Sequence, residues 1–144
     1  MRKFFRGKAL AIMAVVGGAV LASIAPVMAE VSADSPSAPA VRLESPGKLL
    51  ASGAAVNVPI TYTCPVNDRG SATVNVYVTQ NVLGGIAFGY KQKVLPCTGR
   101  PEKAAVAVLA YEGKAFRPGT AYGRLVLATW DGQPEDEREF KIGL

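Results

Sequence analysis

Residues Val56–Cys64 read VNVPITYTC. Val56, Val58, Ile60, Tyr62 and Cys64 alternate with Asn57, Pro59, Thr61 and Thr63. Successive side chains of an extended chain point to opposite faces. A period of two therefore sets the first series against a core and the second in water. The pattern recurs downstream. Ala72, Val74, Val76 and Val78 alternate with Thr73, Asn75, Tyr77 and Thr79. Ile86, Phe88 and Tyr90, expected to face inward, alternate with Ala87, Gly89 and Lys91. Further strands are expected at 104–111, 120–130 and 138–144, the last with Phe140, Ile142 and Leu144 inward. A short strand at Val41–Glu44, extending toward Leu49, completes about seven. Pro59 lacks an N–H, so its strand is expected to be an edge or bulged there.

Turn signals separate these runs: NDRG at 67–70, VLGG at 82–85 and WDGQPED at 130–136, where Asp131-Gly132 suits a tight hairpin. No helical period interrupts the strands. The pattern predicts an all-β domain over 41–144, an antiparallel sandwich of about seven strands.

The N-terminus predicts the compartment. Arg2, Lys3, Arg6 and Lys8 precede an apolar run from Ala9 to about Ile24, and small residues lead to Ala29. This is the layout of a signal-peptide helix over residues 1–29, cut after Ala29; the alternative is an uncleaved N-terminal membrane anchor. Residues 30–40, EVSADSPSAPA, read as a flexible leader. The signal holds four of the chain's 16 basic residues and none of its 11 acidic ones, leaving 12 against 11. The exported part thus lacks the basic stripe that nucleic acid requires, and membrane contact is expected only transiently, through the signal.

Cys64 and Cys97 both lie in the exported part. An even cysteine count in a small exported domain predicts a disulfide. It would close a loop of about 34 residues, worth roughly 4 kcal/mol of chain entropy.

The segment AFRPGTAYGRLVL, 115–127, places Pro118 and Gly119 before Tyr122 at a strand entry. It resembles the tyrosine corner of immunoglobulin and fibronectin type III sandwiches, in which the tyrosine hydroxyl bonds back to nearby backbone. Arg124 stands where antibody domains carry a cysteine, and the strand from Ala72 has no tryptophan. On that frame Cys64 ends the second strand and Cys97 precedes the corner strand. The disulfide is then expected near one rim, joining the end of the second strand to the end of the Ile86 strand. With YTC at 62–64, VTQ at 78–80, CTG at 97–99 and FRPGTA at 116–121, the chain resembles small exported actinobacterial proteins with an immunoglobulin-like sandwich. The resemblance implies a fold and export, and no reaction.

Chemistry is sparse. The sequence has no histidine, which removes Ser-His-Asp and Cys-His catalysis and the usual zinc ligand sets. Gly84-Gly85 precedes no helix and forms no phosphate cradle. Glu135, Asp136, Glu137 and Glu139 cluster without calcium-loop spacing and are read as charge along a hairpin arm. No cofactor is expected. Arg100, beside Cys97, is the residue a protease-inhibitor loop would use, although Pro101 follows it. Tyr77, Tyr111 and Trp130 are candidate binding aromatics. The function expected is that of a secreted, non-enzymatic binding module for an extracellular protein or cell-wall component. The alternatives are a protease inhibitor and a small-ligand carrier.

Overall fold

The computed structural model describes residues 38–66, 70–111 and 113–144. The expected signal peptide, most of the leader and the centre of the NDRG turn lie outside the described residues.

Eight strands follow one another: β1 (Ala40–Leu43), β2 (Gly47–Leu50), β3 (Ala55–Thr63), β4 (Ser71–Val82), β5 (Gly85–Pro96), β6 (Glu102–Tyr111), β7 (Gly119–Ala128) and β8 (Glu135–Gly143). Helical structure among the described residues is a single 3₁₀ turn at Ala51–Gly53. No helix among them is long and apolar enough to cross a membrane.

The fold is not the expected antiparallel sandwich. Strands β3, β6, β5, β4, β7, β8 and β2 pair in that cyclic order, and β2 returns to β3, closing a seven-strand mixed barrel with β1 outside the ring. Two features overturn the sandwich. β2 runs parallel to β8, with Gly47 opposite Ile142 and Lys48 opposite Gly143. β5 also joins β6, with Phe88 opposite Tyr111 and Gly89 opposite Ala110. These short seams link two broader walls, one of β5, β4, β7 and β8, the other of β2, β3 and β6.

Both seams form where a side chain is missing. A Cβ on Gly89 would lie 2.4 Å from the Leu109 carbonyl oxygen and 2.7 Å from Val108 Cγ1. A Cβ on Gly47 would lie 2.9 Å from Phe140 Cε2. Beyond the β5 seam the strands part, and Lys93 Nζ reaches across to donate to the Ala105 carbonyl at 2.9 Å. Lys91 and Lys93 share the sequence parity of buried Ala87, Gly89 and Leu95, yet both are exposed. Charged side chains at inward-parity positions stop a ladder from continuing.

The interior follows the alternation of the opening stretch. Val56, Val58, Ile60 and Tyr62 of β3 are buried with Val74, Val76 and Val78 of β4 and with Val106, Val108, Leu125, Leu127, Phe140 and Ile142. Each such aliphatic contributes about 1.5–3 kcal/mol by leaving water. A ring this narrow is filled by its own side chains. β5 departs from expectation. Ala87 and Gly89 face inward, whereas Ile86, Phe88 and Tyr90 stay 59%, 39% and 38% exposed. Close approach to β6 admits only small residues inside, so the large ones turn outward. Leu144 also stays outside, just past β8.

β1 and β2 share one edge of β3, with Leu43 opposite Ile60 and Lys48 opposite Asn57. Pro59 sits at the changeover. Its carbonyl accepts from the Glu44 amide at 2.9 Å, so its missing N–H faces the gap between the two short strands. The Leu43 amide, on the far side of β1, donates to Asp136 Oδ2 at 2.7 Å and so ties β1 to β8.

Candidate functional site

The pairing registers bring the aromatic residues together on the outer face of the wall of β5, β4, β7 and β8 and on its β6 border. Tyr90 stands opposite Tyr77, Tyr77 opposite Arg124, and Arg124 opposite Glu137, a row across β5, β4, β7 and β8. The adjacent row runs Tyr111, Phe88, Thr79, Tyr122 and Glu139, starting from β6. The row on the other side holds Gln92, Asn75, Val126 and Glu135.

The five rings fall between Tyr77 and Tyr122, and the register collects them because each occupies an outward position of its strand.

Hydrogen bonds fix these side chains. The Tyr77 and Tyr90 rings lie 4.9 Å apart between centroids, tilted by 34°. The Tyr90 hydroxyl donates to Asn75 Oδ1 at 2.9 Å. Arg124 is held between two carboxylates, with Nη2 2.9 Å from Glu135 Oε2 and Nε 2.9 Å from Glu137 Oε1. The Tyr122 hydroxyl donates to Glu137 Oε2 at 2.6 Å. That hydrogen bond is the main cause that holds the Tyr122 phenol above its ordinary pKa, with burial adding to it. Arg124 is likewise held protonated, first by its hydrogen bond to Glu135.

The expected tyrosine corner is not made, because Tyr122 points outward, 44% exposed. Gln80 performs the bracing instead. It is 4% exposed, accepts from the Arg117 amide at 2.9 Å, and donates to the Arg117 carbonyl at 2.8 Å and the Thr120 carbonyl at 3.4 Å. Pro118 and Gly119 lie within the turn it holds.

Cys64 and Cys97 form the expected disulfide just past the ends of β3 and β5, with Cα atoms 5.1 Å apart. Tyr62 reinforces the same rim by donating to the Pro96 carbonyl at 3.0 Å. Burial, and then the charge of Glu102, push its phenol pKa up. Arg100 lies in the tight turn after the disulfide, where Gly99 donates to the Cys64 carbonyl at 3.0 Å and Thr98 Oγ1 to Glu102 Oε1 at 2.9 Å. Trp130, 76% exposed, sits at the β7–β8 turn. Thr129 and Gly132 bridge there, so the loop is Trp130–Asp131, displaced by one residue from the expected Asp131-Gly132 pair. Arg100 therefore stands apart from the aromatic wall, while Tyr77, Tyr111 and Tyr122 lie on it.

The acidic cluster belongs to β8 and not to a loop. Glu135 and Glu137 face Arg124, while Asp136 takes the Leu43 amide and the Arg138 guanidinium at 2.8 Å. Burial pushes the Asp136 carboxyl up, but the hydrogen bonds from Arg138 and Leu43, with the charges of Arg138 and Arg42, outweigh it and hold the carboxyl below its ordinary value. No group of three or more potential metal ligands occurs among the described residues. Two shallow clefts, of about 340 and 260 Å³, flank Ser45; the smaller reaches the margin of the aromatic wall at Thr120, Glu139 and Lys141.

Phe88 and Tyr90 belong to the site although their alternation with Ala87 and Gly89 suggested a buried role. The small size of Ala87 and Gly89 was the available signal for the opposite phase.

No protein-family model matches the chain, and no curated protein matches it. Among solved structures it is similar to a β-glucosidase from Listeria innocua in complex with gluconolactone, at 16% identity and a TM-score of 0.41, covering 74% of this chain and 16% of that one. The same enzyme with isofagomine gives 15% identity and a TM-score of 0.38. A point variant of it with laminaribiose gives 16% and 0.38. The chain thus spans 16% of the length of that enzyme, and likeness at this level assigns it neither family nor activity.

Proposed function

We propose that the protein is an exported, non-enzymatic binding module whose contact surface is the outer face of β5, β4, β7 and β8. One observation carries the reading: Tyr77, Phe88, Tyr90 and Tyr122 share adjoining rows of that face, and Tyr111 of β6 joins them across the β5–β6 seam. Aromatic side chains offer large contact area at low entropic cost, and rings already fixed by Asn75 and Glu137 lose little further freedom on binding. Away from the seam, the opposite wall presents Asn57, Pro59 and Thr61 on β3 with Ala105, Ala107 and Leu109 on β6, and no ring among them.

The test is partition of the secreted protein onto isolated cell-wall material and secreted macromolecules of the producing organism. Tyr77→Ala with Tyr90→Ala should abolish retention, whereas Thr61→Ala should leave it intact. Equal behaviour of the two variants would remove the aromatic wall from the function.

A further inference from the structure

We infer that the ligand of the aromatic wall is an uncharged polysaccharide, an inference that rests on reading this wall as the binding face. Three observations lead there. First, the ring-bearing part of the wall is an open sheet surface, and the smaller cleft at Ser45 meets the wall only at its margin, at Thr120, Glu139 and Lys141. A small free ligand would bury little of itself on such a surface. From Tyr111 to Tyr122 the ring-bearing row crosses three strand spacings, about 14 Å, so a ligand that meets the whole row is extended.

Second, the cation within the ring-bearing rows is already used. Arg124 is clamped by Glu135 and Glu137, and Glu139 adds a further carboxylate at the end of the row. Lys141, in the next row, donates to Thr120 Oγ1, and the three carboxylates Glu135, Glu137 and Glu139 outnumber Arg124 and Lys141 and disfavour an acidic polymer.

Third, short hydrogen-bonding side chains alternate with the rings. Asn75, Thr79 and Gln92 lie beside Tyr77, Tyr90 and Phe88. A dry protein interface would have to desolvate these groups together with the Arg124 cluster, and binding anchors of proteins favour enclosed apolar pockets. A hydroxylated chain exchanges its own hydroxyls for the waters on those groups while its C–H faces rest on the rings.

The experiment is affinity electrophoresis of the secreted protein through gels containing a soluble β-glucan, a xylan, a mannan or an anionic alginate. At least one uncharged polymer should retard the wild type, with little dependence on salt. Tyr77→Ala with Tyr90→Ala should weaken that retardation by about tenfold or more, and Phe88→Ala should weaken it independently. Melting curves of each variant verify folding. No retardation by any uncharged polymer would overturn the inference, as would salt-sensitive binding to alginate alone. Capture of a protein that depends on Tyr77 and Tyr90, without retardation in the gels, would overturn the polysaccharide and leave the binding wall standing.

Discussion

The two walls of the barrel have equivalent interiors and different exteriors. β3 and β4 both bury alternate valines, yet outward from β3 stand Asn57, Pro59 and Thr61, whereas outward from β4 stand Asn75, Tyr77 and Thr79 amid the rings of β5 and β7. Burial fixes the inner series of each strand and leaves the outer series free to differ. The difference teaches that the inner alternation specifies the fold, while the outer positions of one wall are available for recognition.

The largest effect on this comparison should come from separating the walls at their rim. The disulfide links the end of β3 to the end of β5, at the rim where β5 and β6 have parted. Cys64→Ser with Cys97→Ser should cost about 2–5 kcal/mol in chemical denaturation. A cost near zero would mean that Tyr62 and the surrounding backbone bonds hold the rim unaided.

The next largest should come from the seam itself. Gly89→Ala would drive a Cβ against the Leu109 carbonyl, which is backbone and cannot swing away. The expected cost is about 1–3 kcal/mol. Gly47→Ala meets the far end of the Phe140 ring, which can move, and should cost less. Equal costs would show that the β5–β6 seam is no tighter than the parallel one.

These seams also explain what could be read from the sequence. The period of two reports which residues face a core, and it located most strands and the inner residues of β3 and β4. It carries no information on which strand pairs with which. Ring closure depends on a few residue pairs at Gly47 and Gly89, and a glycine in a strand signals close approach without naming its neighbour. The disulfide was legible because cysteine chemistry limits the options to one pair. The corner was misread because the segment after Pro118 supplies a tyrosine, while the group that bonds it, Gln80, comes from β4. Of the aromatic wall, Tyr77 and Tyr111 were legible as outward residues; the phase of β5 hid Phe88 and Tyr90.

A smaller effect concerns the strand outside the ring. Asp136→Asn keeps an acceptor for the Leu43 amide but removes the charge facing Arg138. The expected loss at neutral pH is about 0.5–1.5 kcal/mol. The folded pKa of Asp136 is lowered, so its contribution is complete above the unfolded carboxylate value, about 3.9, and disappears as pH falls through the folded value. The gap between wild type and variant should therefore close on acidification. A gap that stays constant with pH would assign the loss to packing and not to charge.

The smallest effect should be that of Tyr122→Phe. Its hydroxyl bonds Glu137 on an exposed surface, and exposed pairs contribute little to stability. Denaturation should shift by less than about 0.5 kcal/mol. Gln80→Leu supplies the contrast, since Gln80 is itself buried and its loss would strip the part-buried Arg117 amide and carbonyl of their partner. If Tyr122→Phe proved the more costly of the two, the outer face of the aromatic wall would be supporting the fold, and the separation of inner and outer roles would fail at this strand.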